Sequence, residues 1–363
     1  MGTNSQAAEP VEQYEDARSE AFRAYLADFR KEKRIPSLSA VVVKDGEILF
    51  EAYLGYQDHD AEEPTTDRTS YLVASITKTF TAATLLGMDQ DGHIDLDADF
   101  TTLSDWPGRC EWLAGSGIIF GGGTLDDGRP VESVDCETSF TLRDVLQHRV
   151  QAMPGTGFFY NPVVFGRLSN WAEENTDKSW RDWMRRYVIE PGGLDSIAAG
   201  WRDAEGVEAL THLAPPFRHD SDRGDRPVPS PLPNPELNAS SGIIASARDL
   251  ADYSIAVDNG SIMKPELREA MWTPPINADG TPSPHAHGWF VQNWEGHRLV
   301  WHGGWWPDAY AGLLLKAPDD DLALILLSNG DNLRADIDTL TKAEIHKAPM
   351  VAKFLELFLT SDN

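Results

Sequence analysis

Tyr71-Leu72-Val73-Ala74-Ser75-Ile76-Thr77-Lys78-Thr79-Phe80-Thr81-Ala82-Ala83-Thr84-Leu85-Leu86 joins a short apolar segment to a run that is apolar on most helical faces. Residues 71–74 predict a buried extended lead-in and 77–86 a core helix. Asp91-Gly92 predicts its end, because glycine takes the left-handed conformation that helix termini often need. Ser75 then lies near the helix N-terminus, among unpaired backbone N–H groups and the positive end of the dipole, where an oxyanion would be stabilised. Residues i and i+3 of a helix share a face with Cβ atoms ~5–6 Å apart, so Lys78 reaches Ser75. A serine hydroxyl is a poor nucleophile near neutral pH unless a proton acceptor stands beside it. A lysine whose pKa falls from ~10.4 on burial supplies a neutral amine for that purpose. Ser-x-x-Lys alone arises by chance in most chains, so its context decides.

Before this stretch, residues 10–34 repeat Tyr14, Ala17, Ala21, Phe22, Tyr25, Leu26 and Phe29 at helical spacing, and Ile35-Pro36 ends the pattern. Leu38 to Tyr56 reads as a β-hairpin turning at Asp45-Gly46. After it, the signals to about Val257 are mainly helical. Thr141/Asp144, Ser179/Asp182 and Ser246/Asp249 each place a hydroxyl three residues ahead of a carboxylate, as in a capping box. Pro215 to Pro235 reads as an irregular surface segment near a cleft rim. Strand-length runs follow at 289–294, 299–302, 311–315 and 322–327, and Asn332 to Leu359 is expected to close the chain with helix. The fold class is therefore α/β (α+β): an antiparallel sheet built from both termini and flanked by helices, with a mainly helical lobe inserted. The expected division is 10–74 with 258–363 as one lobe and 75–257 as the other, with the active site at their junction.

Composition narrows the chemistry. The 363 residues carry 58 Asp+Glu against 31 Lys+Arg, a net charge of −27, which argues against nucleic acid as a partner because phosphate binding needs clustered cations. No apolar run of membrane-spanning length occurs, and Met1 to Ser5 lacks the charged-then-apolar pattern of an export signal. A soluble protein is expected, either cytoplasmic or exported with its signal removed. Cys110 and Cys136 bracket a stretch containing Gly121-Gly122-Gly123; they either close a disulfide or remain thiols. The triple glycine lacks a following Lys-Ser/Thr and reads as a loop. His285 and His287 lack further ligands at metal-binding spacing, so no metal is expected.

Two further segments, Phe158-Phe159-Tyr160-Asn161-Pro162 and His302-Gly303-Gly304-Trp305, stand in an order and spacing with Ser75-x-x-Lys78 that resembles the three motifs of the serine β-lactamase-like family. That family includes class C β-lactamases, family VIII carboxylesterases and D-amino-acid peptidases. Leu142 to His148, Pro154 to Phe158, Ser240 to Leu250 and Leu326 to Asn329 are also similar to family signatures, and the resemblance covers roughly residues 15–345. It implies Ser75 as the acylated nucleophile, Lys78 as its base, Tyr160 as the proton-exchanging tyrosine and His302 at the head of the third motif. It also implies backbone N–H groups of Ser75 and Trp305 as the oxyanion hole. Gly303 and Gly304 would let a strand approach the substrate closely. Trp301, Trp305 and Trp306 are expected either to line an acyl pocket or to pack the sheet.

One position departs from the pattern. Pro162 stands where the family has the asparagine of Tyr-x-Asn, and proline has no amide to hold a lactam or peptide carbonyl. Asn161 is the candidate substitute, although a strand-like neighbour would point elsewhere. Residues 105–138 look inserted and 148–154 shortened, so the pocket walls are expected to differ from the family's. The expectation is a cofactor-independent serine hydrolase for small esters, with Asn161, Gly303, Gly304, Trp305 and Trp306 near substrate. Lactam or D-amino-acid amide hydrolysis, acyl transfer and a catalytically silent binding relative are the alternatives.

Overall fold

The computed structural model describes residues 16–125, 127–151, 153–219, 226–233, 236–334 and 339–359. Helix α1 (Ala17–Glu32) begins where the Asp16 carboxylate accepts from Ser19 N, and buries Phe22, Leu26 and Phe29 at helical spacing. Tyr14, in the expected helix, lies outside the described residues. Strands β1 (Ser37–Lys44) and β2 (Glu47–Asp58) form the expected hairpin. Its turn residues Asp45 and Gly46 have φ of 53° and 78°, the double positive φ of a type I′ turn.

Strand β3 (Ser70–Leu72) leads into helix α2 (Thr77–Gln90), and Gly92 has φ 74° just past its end. Further along are α3 (Trp106–Gly115), α4 (Leu142–Leu146), α5 (Pro162–Gly166), β4 (Ile243–Ser246) and α6 (Ala247–Asp258). Thr141 with Asp144 and Ser246 with Asp249 form full capping boxes; Ser179 accepts from Asp182 N. Strands β5 (Phe290–Trp294), β6 (His297–Trp306), β7 (Tyr310–Ala317) and β8 (Leu322–Ser328) follow, and α7 (Pro349–Phe358) is the last helix.

The main sheet runs β5-β6-β7-β8-β1-β2, with Glu63–Pro64 added at the edge, and every pairing is antiparallel. Leu38 stands opposite Ser328, so the N-terminal hairpin completes a sheet begun by C-terminal strands. One face packs on α1 and α7 through Phe22, Leu324 and Phe354. The other packs on α2 and α6 through Val41, Ile325, Phe80 and Leu250. A smaller sheet, unforeseen in the sequence, pairs β3 and Ala198–Ala199 with opposite edges of β4.

Two expectations change. Of the helix expected over Asn332 to Leu359, the described residues show α7 and single 3₁₀ turns at Asp331–Leu333 and Ile345–Lys347; residues 335–338 lie outside the described residues. Around 340–345 the backbone bonds to distant partners instead: Leu340 O accepts from Tyr160 N at 3.0 Å and Ile345 N donates to Gln292 Oε1 at 2.9 Å. The segment Pro215 to Pro235 is not wholly irregular, since Phe217–Arg218 pairs with Val228–Pro229. Cys110 and Cys136 are disulfide-bonded, with Cα atoms 5.8 Å apart, and staple the 105–138 excursion.

Candidate active site

The chain leaves β3, makes a single 3₁₀ turn at Ala74–Ile76 and enters α2. Ala74 adopts φ 47°, a left-handed conformation that costs a non-glycine residue about 1 kcal/mol or more. Ser75 is half-buried at this elbow. Strand β6 presses directly against the turn: a Cβ on Gly304 would lie 2.2 Å from Val73 O, so only glycine fits there. On the far side of α2, Gly288, with φ 69°, lies so close that a Cβ would meet Lys78 O at 2.4 Å.

Lys78 is fully buried. Its Nζ lies 3.1 Å from Ser75 Oγ and 3.1 Å from the Ser240 carbonyl, and faces the rings of Tyr160 and Phe165 at 5.1 and 5.3 Å. Among the described residues no carboxylate lies within ion-pair distance of it. Burial therefore pushes its pKa well below the ordinary lysine value. Burial raises the Tyr160 phenol above the usual tyrosine range, with the Ser75 hydroxyl opposing the shift. The structure thus brings Ser75, Lys78 and Tyr160 together, and burial favours the uncharged form of both the amine and the phenol.

His302 is buried beside Tyr160, ring centroids 5.8 Å apart, and its Nδ1 lies 2.7 Å from Gly303 O. That contact makes Nδ1 the donor and leaves Nε2 a bare acceptor. Burial and the nearby Lys78 lower its pKa to about 3, so it is neutral at working pH. Sequence reasoning did not assign site positions to two neighbours. The His148 ring lies 4.4 Å from Tyr160, and His285 stands 4.7 Å from His148 and 6.1 Å from His302. Desolvation also lowers both pKa values well below the ordinary range. His148 Nδ1 accepts from Asn161 N at 3.0 Å, whereas neither ring nitrogen of His285 has a protein partner among the described residues. His287 turns elsewhere, to Gln147 and Ala270 O. Among the described residues no group of three or more His, Cys, Asp or Glu side chains is arranged to hold a metal ion.

Asn161 does not stand in for the missing amide. It is fully buried as the N-cap of α5: Oδ1 accepts from Val163 N and Val164 N, both at 3.1 Å, and Nδ2 donates to Phe120 O at 3.0 Å and Gln151 Oε1 at 3.2 Å. Both lone pairs and both amide hydrogens are engaged, so nothing is left for a substrate. The sequence signal was Asn-Pro itself, a capping residue followed by the proline favoured at the first helical position.

A cavity of about 560 Å³ opens over Ser75. Tyr160, Pro162, Ser240, Ser241, His302, Gly303 and Gly304 line it, as do Trp301, Trp305 and Trp306. Ile119 and Phe120, from the disulfide-stapled excursion, form part of the wall. None of the described lining residues is acidic; Arg334, stacked 4.2 Å over the Trp305 ring, is the cation among them.

A sequence profile of the Beta-lactamase family matches residues 22–347. The chain belongs to the β-lactamase family. A D-aminopeptidase of Gluconobacter oxydans (strain 621H) is 24% identical over 277 residues, covering 74% of this chain and 51% of its own, so the chain spans about half of that relative. Among solved structures, a D-amino acid amidase from Ochrobactrum anthropi SV3, complexed with L-phenylalanine amide, has a TM-score of 0.64 at 18% identity. The match covers 94% of this chain and 97% of the amidase. EstCE1, described as a hydrolase with promiscuous acyltransferase activity, also has a TM-score of 0.64, at 14% identity, covering 93% and 98%. At these identities the likeness concerns the β-lactamase-family fold. In this β-lactamase-family chain, the second motif carries Pro162 and a wholly committed Asn161.

Proposed function

We propose that this chain is a serine hydrolase that forms an acyl-enzyme on Ser75, with carboxylic esters as its preferred substrates. The observation that carries the reading is a buried amine, without a counter-charge among the described residues, 3.1 Å from the Ser75 hydroxyl. One Nζ hydrogen is held by Ser240 O, which leaves the neutral amine's lone pair for the serine proton. The alkoxide attacks the ester carbonyl, and the backbone N–H groups of Ser75 and Trp305 receive the oxyanion, a contribution of ~2.7–4 kcal/mol per donor. Tyr160, kept protonated by burial, gives its proton to the leaving alcohol and regains one from Lys78. Water then releases the acid, and an alcohol in its place would make the reaction an acyl transfer. His302 flanks Tyr160 as a neutral acceptor, and Gly303, Gly304, Trp305 and Trp306 border the substrate. In this proposal the site occupies the junction of lobes 10–74/258–363 and 75–257.

Two features favour esters. Pro162 and Asn161 offer no free amide to an amide or lactam carbonyl. A D-amino-acid amide would bring a free ammonium into a cavity with no acidic side chain among its described lining residues. The test is a panel of p-nitrophenyl esters, D-amino-acid amides and a chromogenic cephalosporin, run on wild type and Ser75→Ala. Ester turnover lost in Ser75→Ala is expected, with slow or absent lactam turnover. Rapid cephalosporin or D-amide hydrolysis without ester cleavage would overturn the ester assignment. Failure of a fluorophosphonate to label Ser75 would place the chain among silent binding relatives.

A further inference from the structure

The cavity over Ser75 is not confined to the cleft between β6 and α2. Strand β5 pairs with β6 over His297–Trp301, and among the described residues no strand pairs with 302–306 on that side, which leaves an open edge there. Side chains alternate across a strand, and the two glycines of β6 fall on opposite faces. Gly304 faces Val73 and Ile76, beside the turn that carries Ser75. Gly303 belongs to the other face, in register with Leu313 of β7, which stands opposite Leu326 of β8. Both leucines belong to the core beneath α1 and α7. Yet they line the same cavity as Ser75, together with Leu333, Ile345 and Met350. The cavity therefore passes the open edge of β6 and continues beneath the sheet. Gly303 keeps the passage clear, since even a Cβ there would meet nothing nearer than 3.7 Å.

We propose that this extension is an acyl-chain site for linear, uncharged acyl groups of medium length. Resting on the serine hydrolase reading, it places the carbonyl at Ser75 and runs the chain past Gly303 along Leu313 and Leu326 towards Met350. The Gly303–Leu313–Leu326 row crosses three adjacent strands, a span of ~10 Å at ~4.8 Å per strand. With C–C bonds of ~1.5 Å, roughly seven or eight carbons cover that distance. The volume of about 560 Å³ suits a small-molecule site, which typically occupies ~300–1,000 Å³. In the acylation step a bond forms between Ser75 Oγ and the ester carbonyl carbon, the bond to the alcohol oxygen breaks, and the alcohol leaves with a proton. Water returns the free carboxylic acid.

The experiment measures kcat/KM for p-nitrophenyl esters from acetyl to dodecanoyl with wild type, Leu313→Phe and Met350→Ala, alongside fluorophosphonate labelling. Wild type is expected to gain roughly three- to four-fold per added methylene up to about octanoyl and then level off. Leu313→Phe, which fills the passage, moves the optimum to shorter chains; Met350→Ala, which lengthens it, moves the optimum to longer ones. Opposite displacements by two substitutions in one core do not arise from general loss of structure. A flat or falling wild-type series in an enzyme that labels at Ser75, or an optimum that neither substitution moves, overturns the acyl-chain site alone. Absence of both labelling and ester cleavage overturns the hydrolase reading beneath it.

Discussion

Lys78 and Lys316 are both buried to the same degree, 0% and 1% exposed, on the helix and strand sides of one core. Lys316 meets Asp258 Oδ2 at 2.6 Å, Ser254 O at 3.2 Å and the Ser254 hydroxyl, so its ammonium charge has a counter-ion and acceptors. Burial still lowers its pKa, with Asp258 opposing the shift. Lys78 has one carbonyl, one hydroxyl and two aromatic faces, and desolvation acts on it unopposed. Burial alone thus does not set how far a lysine's pKa falls. The missing carboxylate does, because an uncompensated charge in a low-dielectric site is relieved by losing its proton.

Substitution of the two lysines should break the comparison most sharply. Lys78→Met is expected to lower kcat/KM on a p-nitrophenyl ester on the order of 10³-fold or more, whereas Lys316→Met leaves the value per folded molecule within a few-fold. Comparable losses at both positions would remove the functional distinction. Tyr160→Phe should cost ~10²–10⁴-fold, and more for alkyl esters than for p-nitrophenyl esters, whose leaving group needs little protonation. Equal losses on both ester types would argue against Tyr160 as the proton donor.

Stability gives smaller, signed effects. Asp258→Asn strands the Lys316 ammonium and is expected to cost about 1–3 kcal/mol at neutral pH, read by urea denaturation. Because the folded pKa of Lys316 then drops further below its unfolded value of ~10.4, that deficit should shrink as pH rises towards ~10.4. A deficit independent of pH would mean the pair is not what the substitution removed. Lys78→Met should act the other way, stabilising by about 1 kcal/mol or more near neutrality. Between the lowered folded pKa of Lys78 and ~10.4, the unfolded chain holds a proton that the folded one lacks, so wild-type stability climbs with pH across that window. The variant lacks this contribution to the slope, and its advantage should vanish on the alkaline side. A parallel pair of stability-versus-pH curves would contradict a neutral Lys78.

Where local chemistry dominates, the sequence was legible. Asp45-Gly46 specified its hairpin through positive φ, Thr141/Asp144 and Ser246/Asp249 specified helix starts, and strand-length runs between turn residues marked β5 to β8. Asn161 was misread because a motif comparison asked what its amide offers a ligand, when the following Pro162 marked it as a cap. The helix expected from Asn332 was misread because segments near 340 and 345 bond to Tyr160 and Gln292, partners that no local pattern reveals.

By itself the sequence determined that a hydroxyl and an amine share one helical turn at 75 and 78, since three residues of helix bring them together wherever the helix lies. Tertiary structure decided which way the amine's pKa moves, by closing the core over Lys78 without bringing a carboxylate to it among the described residues. It also decided how far the cavity reaches, because strand pairing puts Gly303, Leu313 and Leu326 in one row. Both outcomes depend on which groups distant segments place in a shared low-dielectric space, and spacing along the chain carries no record of that.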